Sequence, residues 1–143
     1  MNNDFSHVPE KLMRLFTLYP DVTAEQLADV YAEHAVFEDP VTRIEGLDNI
    51  SSYYRKMYRG VISCRFDFVD VIDCRQQASF NWIMTLRHRS IKRTRPINVS
   101  GCSLIRYDQK VVYHRDYFDM GEMLYANLPL LGPVIRLLRN RLH

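Results

Sequence analysis

Two short stretches carry the side chains best suited to moving protons. Phe37-Glu38-Asp39-Pro40 sets adjacent carboxylates ahead of a proline, and His114-Arg115-Asp116 puts an imidazole two residues from a third carboxylate. A carboxylate against an apolar wall works as a general base because its pKa moves toward the operating pH. Asp39 also has a turn reading, in which an aspartate before proline accepts local backbone amides. In a strand over 110–118, Asp116 shares a face with Val112, His114 and Phe118, while Tyr113, Arg115 and Tyr117 take the other. His114 then either relays a proton or holds Asp116 ionised. The competing reading pairs Asp116 with a sheet arginine, Arg87, Arg89 or Arg106. Glu38, on the opposite face from Asp39, meets solvent or an arginine. Asp119, with Glu122 three residues on, has the pattern of a helix N-cap.

Other chemistries find less to work with. No H-x-x-x-H or H-E-x-x-H occurs and the glycines are unclustered, so neither a metal site, a phosphate loop nor a cofactor is expected. Cys64, Cys74 and Cys102 are odd in number and lack C-x-x-C spacing, which argues against a disulfide framework. A net charge of +2 does not point to nucleic acid. The basic turn Arg87–Arg95 has no interleaved aromatics and reads as solvated. The N-terminus lacks a signal-peptide pattern and no run approaches 18 apolar residues, so a soluble, cytoplasmic protein is expected.

The elements that must position these groups follow from periodicity. At 143 residues the expectation is one domain over 1–143. Pro9 to Tyr19 reads as a helix with Leu12, Leu15, Phe16 and Tyr19 on one face, closed by Pro20. Thr23 to Gln26 has capping-box spacing and opens a second helix. Ala35–Asp39 reads as a short strand, and residues 46–59 as a third helix with Gly60 at its C-terminal end. The period then falls to two: strands over 61–73, 77–89, 96–107 and 110–118, the first with Ile62, Cys64, Phe66 and Phe68 inward. His88 sits near a strand end, at a pocket mouth or a turn, and His34 at a surface corner. Strands in series favour an antiparallel sheet and an α+β fold. Residues 129–143 form an appended amphipathic helix carrying Arg136, Arg139 and Arg141. Its expected place is on its own sheet or a second subunit, with membrane contact a lesser alternative.

Tyr31-Ala-Glu-His-Ala-Val-Phe-Glu-Asp-Pro-Val41, then Gly46 and a helix, then Lys110-Val-Val-Tyr-His-Arg-Asp-Tyr-Phe-Asp119 resembles the nuclear-transport-factor-2-like superfamily, which contains ketosteroid isomerases and SnoaL-like polyketide cyclases. The resemblance covers roughly residues 8 to 127. It implies a cone-shaped, curved sheet packed against N-terminal helices around a mostly apolar pocket, with homodimers frequent. It implies a hydrophobic small-molecule ligand, and either an isomerase- or cyclase-like acid–base enzyme or a non-catalytic binding module. Asp39 matches the isomerase base, and Asp116 an acid/base position on the last strand, with His114 assisting. Tyr53, Phe66, Phe80, Trp82 and Phe118 are the candidate ligand-binding residues. The isomerase's two oxyanion donors fall near Leu15 and Ser103, which cannot supply that pair, and Tyr19 substitutes only in a different register.

Overall fold

A computed structural model of the chain describes residues 7–90, 95–123 and 131–142. Three helices precede the main sheet: α1 (His7–Phe16), α2 (Ala24–Val30) and α3 (Leu47–Met57). Between α2 and α3 run β1 (Tyr31–Glu38) and β2 (Arg43–Glu45). Then come β3 (Val61–Cys74), β4 (Gln77–His88), β5 (Ile97–Tyr107), β6 (Val111–Phe118), the short α4 (Met120–Met123) and α5 (Leu131–Arg141). The strands form one curved, open sheet in the order β2-β1-β6-β5-β4-β3. This is the expected α+β cone.

Local chemistry accounts for each boundary. Val8, Leu12, Leu15 and Phe16 are buried at helical spacing on α1, and its last turn tightens into i→i−3 bonds from Leu18 to Leu15 and Tyr19 to Phe16. The helix therefore ends earlier than Tyr19, although Tyr19 still points into the core. Thr23 and Gln26 form the reciprocal capping box: the Gln26 amide donates to Thr23 Oγ1 at 3.2 Å and the Thr23 amide to Gln26 Oε1 at 2.9 Å. Gly46, at φ +90°, begins α3, where Ile50 and Tyr54 are buried. Gly60, at φ +86°, lets the chain leave α3 left-handed while the His88 ring lies beneath it, His88 Nε2 3.0 Å from the Arg59 carbonyl. His88 is thus a turn residue.

The sheet differs from the sequence expectation at identifiable points. β1 starts at Tyr31 rather than Ala35 and pairs with β6 in parallel, an exception to the otherwise antiparallel ladder. β2 was too short to show a period, yet it pairs with β1 through Val36–Glu45, Phe37–Ile44 and Glu38–Arg43. In β3 the pairing shifts between Val61 and Ser63, which turns Ile62 outward to 57% exposure instead of inward. A similar shift between Arg106 and Tyr107 on β5, opposite Tyr113 and Val111, buries Val111, whereas Val112 was expected to share the face of His114. The core lies on the concave side, where α1 and α3 meet Phe37, Ala78, Phe80, Trp82, Val99 and Ile105. Val134, Leu137 and Leu138 on α5, and Leu142 just after it, are more than half exposed, so those side chains do not pack on their own sheet, one of the two places expected for them. Part of the basic 87–95 turn lies outside the described residues.

Candidate functional site

The E-D-P stretch is the turn of the β1–β2 hairpin. The Asp39 amide donates to the Thr42 carbonyl at 3.0 Å, and Asp39 Oδ1 accepts the amides of Val41 at 2.8 Å and Thr42 at 2.9 Å. This is the side-chain turn available to an aspartate before proline. The other oxygen, Oδ2, accepts the phenol of Tyr53, which α3 presents over the strand end. Both Asp39 oxygens are therefore engaged. Next door, Glu38 turns the other way, as alternation requires. It accepts from Tyr113, pairs with Arg43 at 2.9 Å and lies 3.6 Å from Arg115. Hydrogen bonds from Tyr113 and then Arg43 hold the Glu38 carboxyl below its ordinary pKa.

The second stretch builds a different arrangement. β6 aligns Phe37 with His114 and Glu38 with Arg115 on one side, and Ile105 with His114 and Ser103 with Asp116 on the other. Phe80, paired with Ser103, continues this row into β4. Asp116 is 15% exposed and His114 completely buried. Ser103 Oγ donates to Asp116 Oδ1 at 2.5 Å, and His114 Nε2 lies 2.6 Å from the same oxygen. Trp82 Nε1 donates to Ser103 Oγ at 2.9 Å. Tyr31 Oη lies 2.6 Å from His114 Nδ1 and 3.3 Å from Tyr54 Oη. Among the described residues, every hydrogen bond to Asp116 ends on Oδ1. The arginine pairing considered for Asp116 is replaced by His114 and Ser103, because Arg106 points to the opposite face and lies over Tyr113.

Tyr53 ties the two stretches together. Burial, then its hydrogen bond to Asp39, then the charges of Asp39 and Asp116 push its phenol above the ordinary value. Tyr19, Tyr31 and Tyr54 are buried and packed with the half-buried Tyr58 in a phenol cluster, each pushed well up, with desolvation the largest cause. Tyr19 Oη has no hydrogen-bond partner among the described residues.

Of the five candidate ligand-binding side chains, two lie deeper than expected. Phe80 and Trp82 are buried in the core, Phe80 against Phe16 and Phe68, because the inward face of β4 packs toward α1. Phe66 is half-buried between Phe16, Tyr19 and Trp82. Tyr53 is half-buried against Asp39, and Phe118 is half-buried against Trp82. Leu15 is core, and Ser103 serves Asp116 rather than standing as an oxyanion donor. Asp119 caps α4 as expected, accepting the amides of Gly121 at 2.7 Å and Glu122 at 3.1 Å. Sequence reasoning missed Tyr31 and Ser103. Tyr31 lies ahead of the strand expected from Ala35, and Ser103 enters the sequence reading only at an oxyanion-donor position. Two surface grooves, of about 330 and 420 Å³, flank α2 and are lined by none of Asp39, His114 and Asp116. Among the described residues no cluster of His, Cys, Asp and Glu could hold a metal ion, and no helix is long and apolar enough to cross a membrane.

Residues 12–114 match the family model of the SnoaL-like domain, which is most of the chain. The chain belongs to the SnoaL-like domain family. Solved structures agree on the fold. A ketosteroid-isomerase-like protein from Catenulispora acidiphila, in complex with trimethylamine, superposes with TM-score 0.72 at 12% identity, covering 83% of this chain and 92% of that one. A putative SnoaL-like polyketide cyclase from Jannaschia sp. CCS1 gives 0.72 at 14%, covering 85% and 92%. An epoxide hydrolase of the LEH-like type from M. tuberculosis gives 0.70 at 14%, covering 91% and 96%. A search of curated proteins returns no match. At these identities the SnoaL-like likeness carries the architecture and not the reaction.

Proposed function

We propose that this SnoaL-like protein binds a hydrophobic, carbonyl-bearing small molecule at the open side of the cone and transfers a proton on it through Asp116. The observation that supports this is the placement of the Asp116 donors. Ser103 and His114 anchor Oδ1, so Oδ2 of a partly exposed carboxylate is left for a ligand. A base must reach the proton it abstracts while its own orientation is fixed. Tyr53 and Phe118 line the approach and Asp39 orients Tyr53. Relatives named as cyclase and epoxide hydrolase share the fold, which makes acid–base work on a small molecule a natural use of it.

The test is deuterium exchange next to the carbonyl in a panel of hydrophobic ketones, followed by NMR. General acid–base groups contribute about 10²–10⁴-fold, so Asp116→Asn should lose that much. Equal exchange by Asp116→Asn and the unsubstituted protein would refute the role.

A second reading, a non-catalytic binding module, draws on Leu15 and Ser103 standing where the isomerase keeps its oxyanion donors, and on Tyr53 spending its hydrogen on Asp39. Ketones that bind without exchanging would favour it. We further propose a homodimer through the outer sheet face, where Ile72, Ile83 and Tyr117 share one side and are exposed. Sedimentation equilibrium of an Ile72→Asp, Ile83→Asp variant tests it; an unchanged mass ends it. The unpaired thiols of Cys64, Cys74 and Cys102 suit a reducing, cytoplasmic setting.

A further inference from the structure

The hydrogen bonds around Asp116 have a direction, and it can be worked out from one end. An indole N–H can only donate, so Trp82 gives its hydrogen to Ser103 Oγ. Ser103 then spends its own hydrogen on Asp116 Oδ1. A carboxylate is an acceptor on both oxygens, so the second contact on Oδ1 must also bring a hydrogen, which puts the His114 proton on Nε2. That leaves His114 Nδ1 as an acceptor, sealed in a fully buried position, and the group facing it at 2.6 Å is the Tyr31 phenol. Burial and the neighbouring Tyr54 raise the Tyr31 pKa well above its ordinary value, so it keeps the hydrogen it must donate. The Tyr31 oxygen in turn faces Tyr54.

We propose that Tyr31 is a positioning residue for Asp116: its phenol fixes the His114 ring with the proton on Nε2, and so helps to hold Oδ1 inward and Oδ2 toward ligand. Tyr31 touches neither Asp116 nor the approach to it and acts through His114. Donation into Nδ1 polarises the ring and strengthens the Nε2–H bond to the carboxylate, as hydrogen bonds in series do. The titratable groups that the Asp116 charge reaches are Tyr19, Tyr31, Tyr53, Tyr54, Tyr58 and Cys102, each of which it pushes upward. The inference builds on the reading of Asp116 as the proton-transferring group, yet its test needs no ligand.

Nitrogen-15 NMR of the histidine rings in the unsubstituted full chain should show His114 protonated at Nε2 alone, with Nδ1 at the shift of a hydrogen-bonded acceptor. A proton on Nδ1, alone or as imidazolium, overturns the proposal. In Tyr31→Phe the Nδ1 signal should move to that of a bare nitrogen, the Nε2 proton upfield, and the Asp116 carboxyl carbon should shift. A folded Tyr31→Phe protein with an unchanged Nε2 proton and Asp116 carbon also overturns it. Should that variant fail to fold, the wild-type tautomer decides alone. Absence of ketone exchange with the tautomer confirmed would count against the catalytic reading and not against this one.

Discussion

Asp39 and Asp116 make a controlled comparison inside one molecule. Both are half-buried carboxylates, Asp39 just past the end of β1 and Asp116 on β6, and both are well supplied with donors. Asp39 spends both oxygens, one on two turn amides and one on Tyr53. Among the described residues, Asp116 receives its donors on a single oxygen. The first arrangement makes a rigid corner, and the second makes a held group with a free side. Counting hydrogen bonds, three on the Asp39 carboxylate against two on that of Asp116, barely separates them; asking which atom each bond occupies does.

Substitutions should sharpen that contrast. The largest effect is expected in ketone exchange, where Asp116→Asn loses about 10²–10⁴-fold and Asp39→Asn stays below the lower end of that range. Equal losses would erase the distinction drawn between the two carboxylates. Next comes alkaline unfolding. The phenols of Tyr19, Tyr31, Tyr54 and Tyr58 have raised folded pKa values, chiefly through burial. Their contribution is therefore full below the unfolded value of about 10 and is lost as pH rises beyond it. Phenolate absorbance should appear together with loss of circular dichroism, in one step; separate transitions would show that the cluster beneath Asp116 is open to water. Gly101→Ala follows. An added Cβ would come within 2.2 Å of the Trp82 ring, so the indole must shift and loosen its bond to Ser103, at about 1–3 kcal/mol in a denaturant titration. Asp39→Ala should cost about 1–3 kcal/mol by leaving the turn amides and Tyr53 unpaired. Glu38→Gln is the smallest. The Glu38 folded pKa is depressed, so its support is present above the unfolded value and fades as pH falls. Glu38→Gln should lower the melting temperature slightly at neutral pH and converge with the unsubstituted protein in acid, which flattens the fall between the two.

The fold was legible in the sequence because its devices are local. A capping box at Thr23, a left-handed glycine at position 60 and two-residue alternation in β4 each announce themselves within a few residues. Ile62 and Val112 were misassigned because pairing shifts depend on the partner strand, which alternation cannot report. The two roles open to Asp39 could be listed but not chosen, since the choice lies with a tyrosine fourteen residues later, on α3. The inward placement of His114 and Asp116 together was visible from their spacing. Tyr31 and Ser103 were not, because each acts through a side chain that only the folded sheet brings near: His114 lies 83 positions from Tyr31 and Asp116 lies 13 from Ser103.

The packing of Trp82 against Gly101 has an optical consequence. Trp82 is the only tryptophan in the chain, and its indole is two hydrogen bonds away from Asp116 through Ser103. Intrinsic emission therefore comes from one fluorophore wired to the candidate site, with nine tyrosines as donors of excitation. A ligand that draws on Asp116 would disturb the Ser103 hydroxyl and change the emission without any label. Compounds can be screened by the colour and intensity of the protein's own light before any reaction has been found.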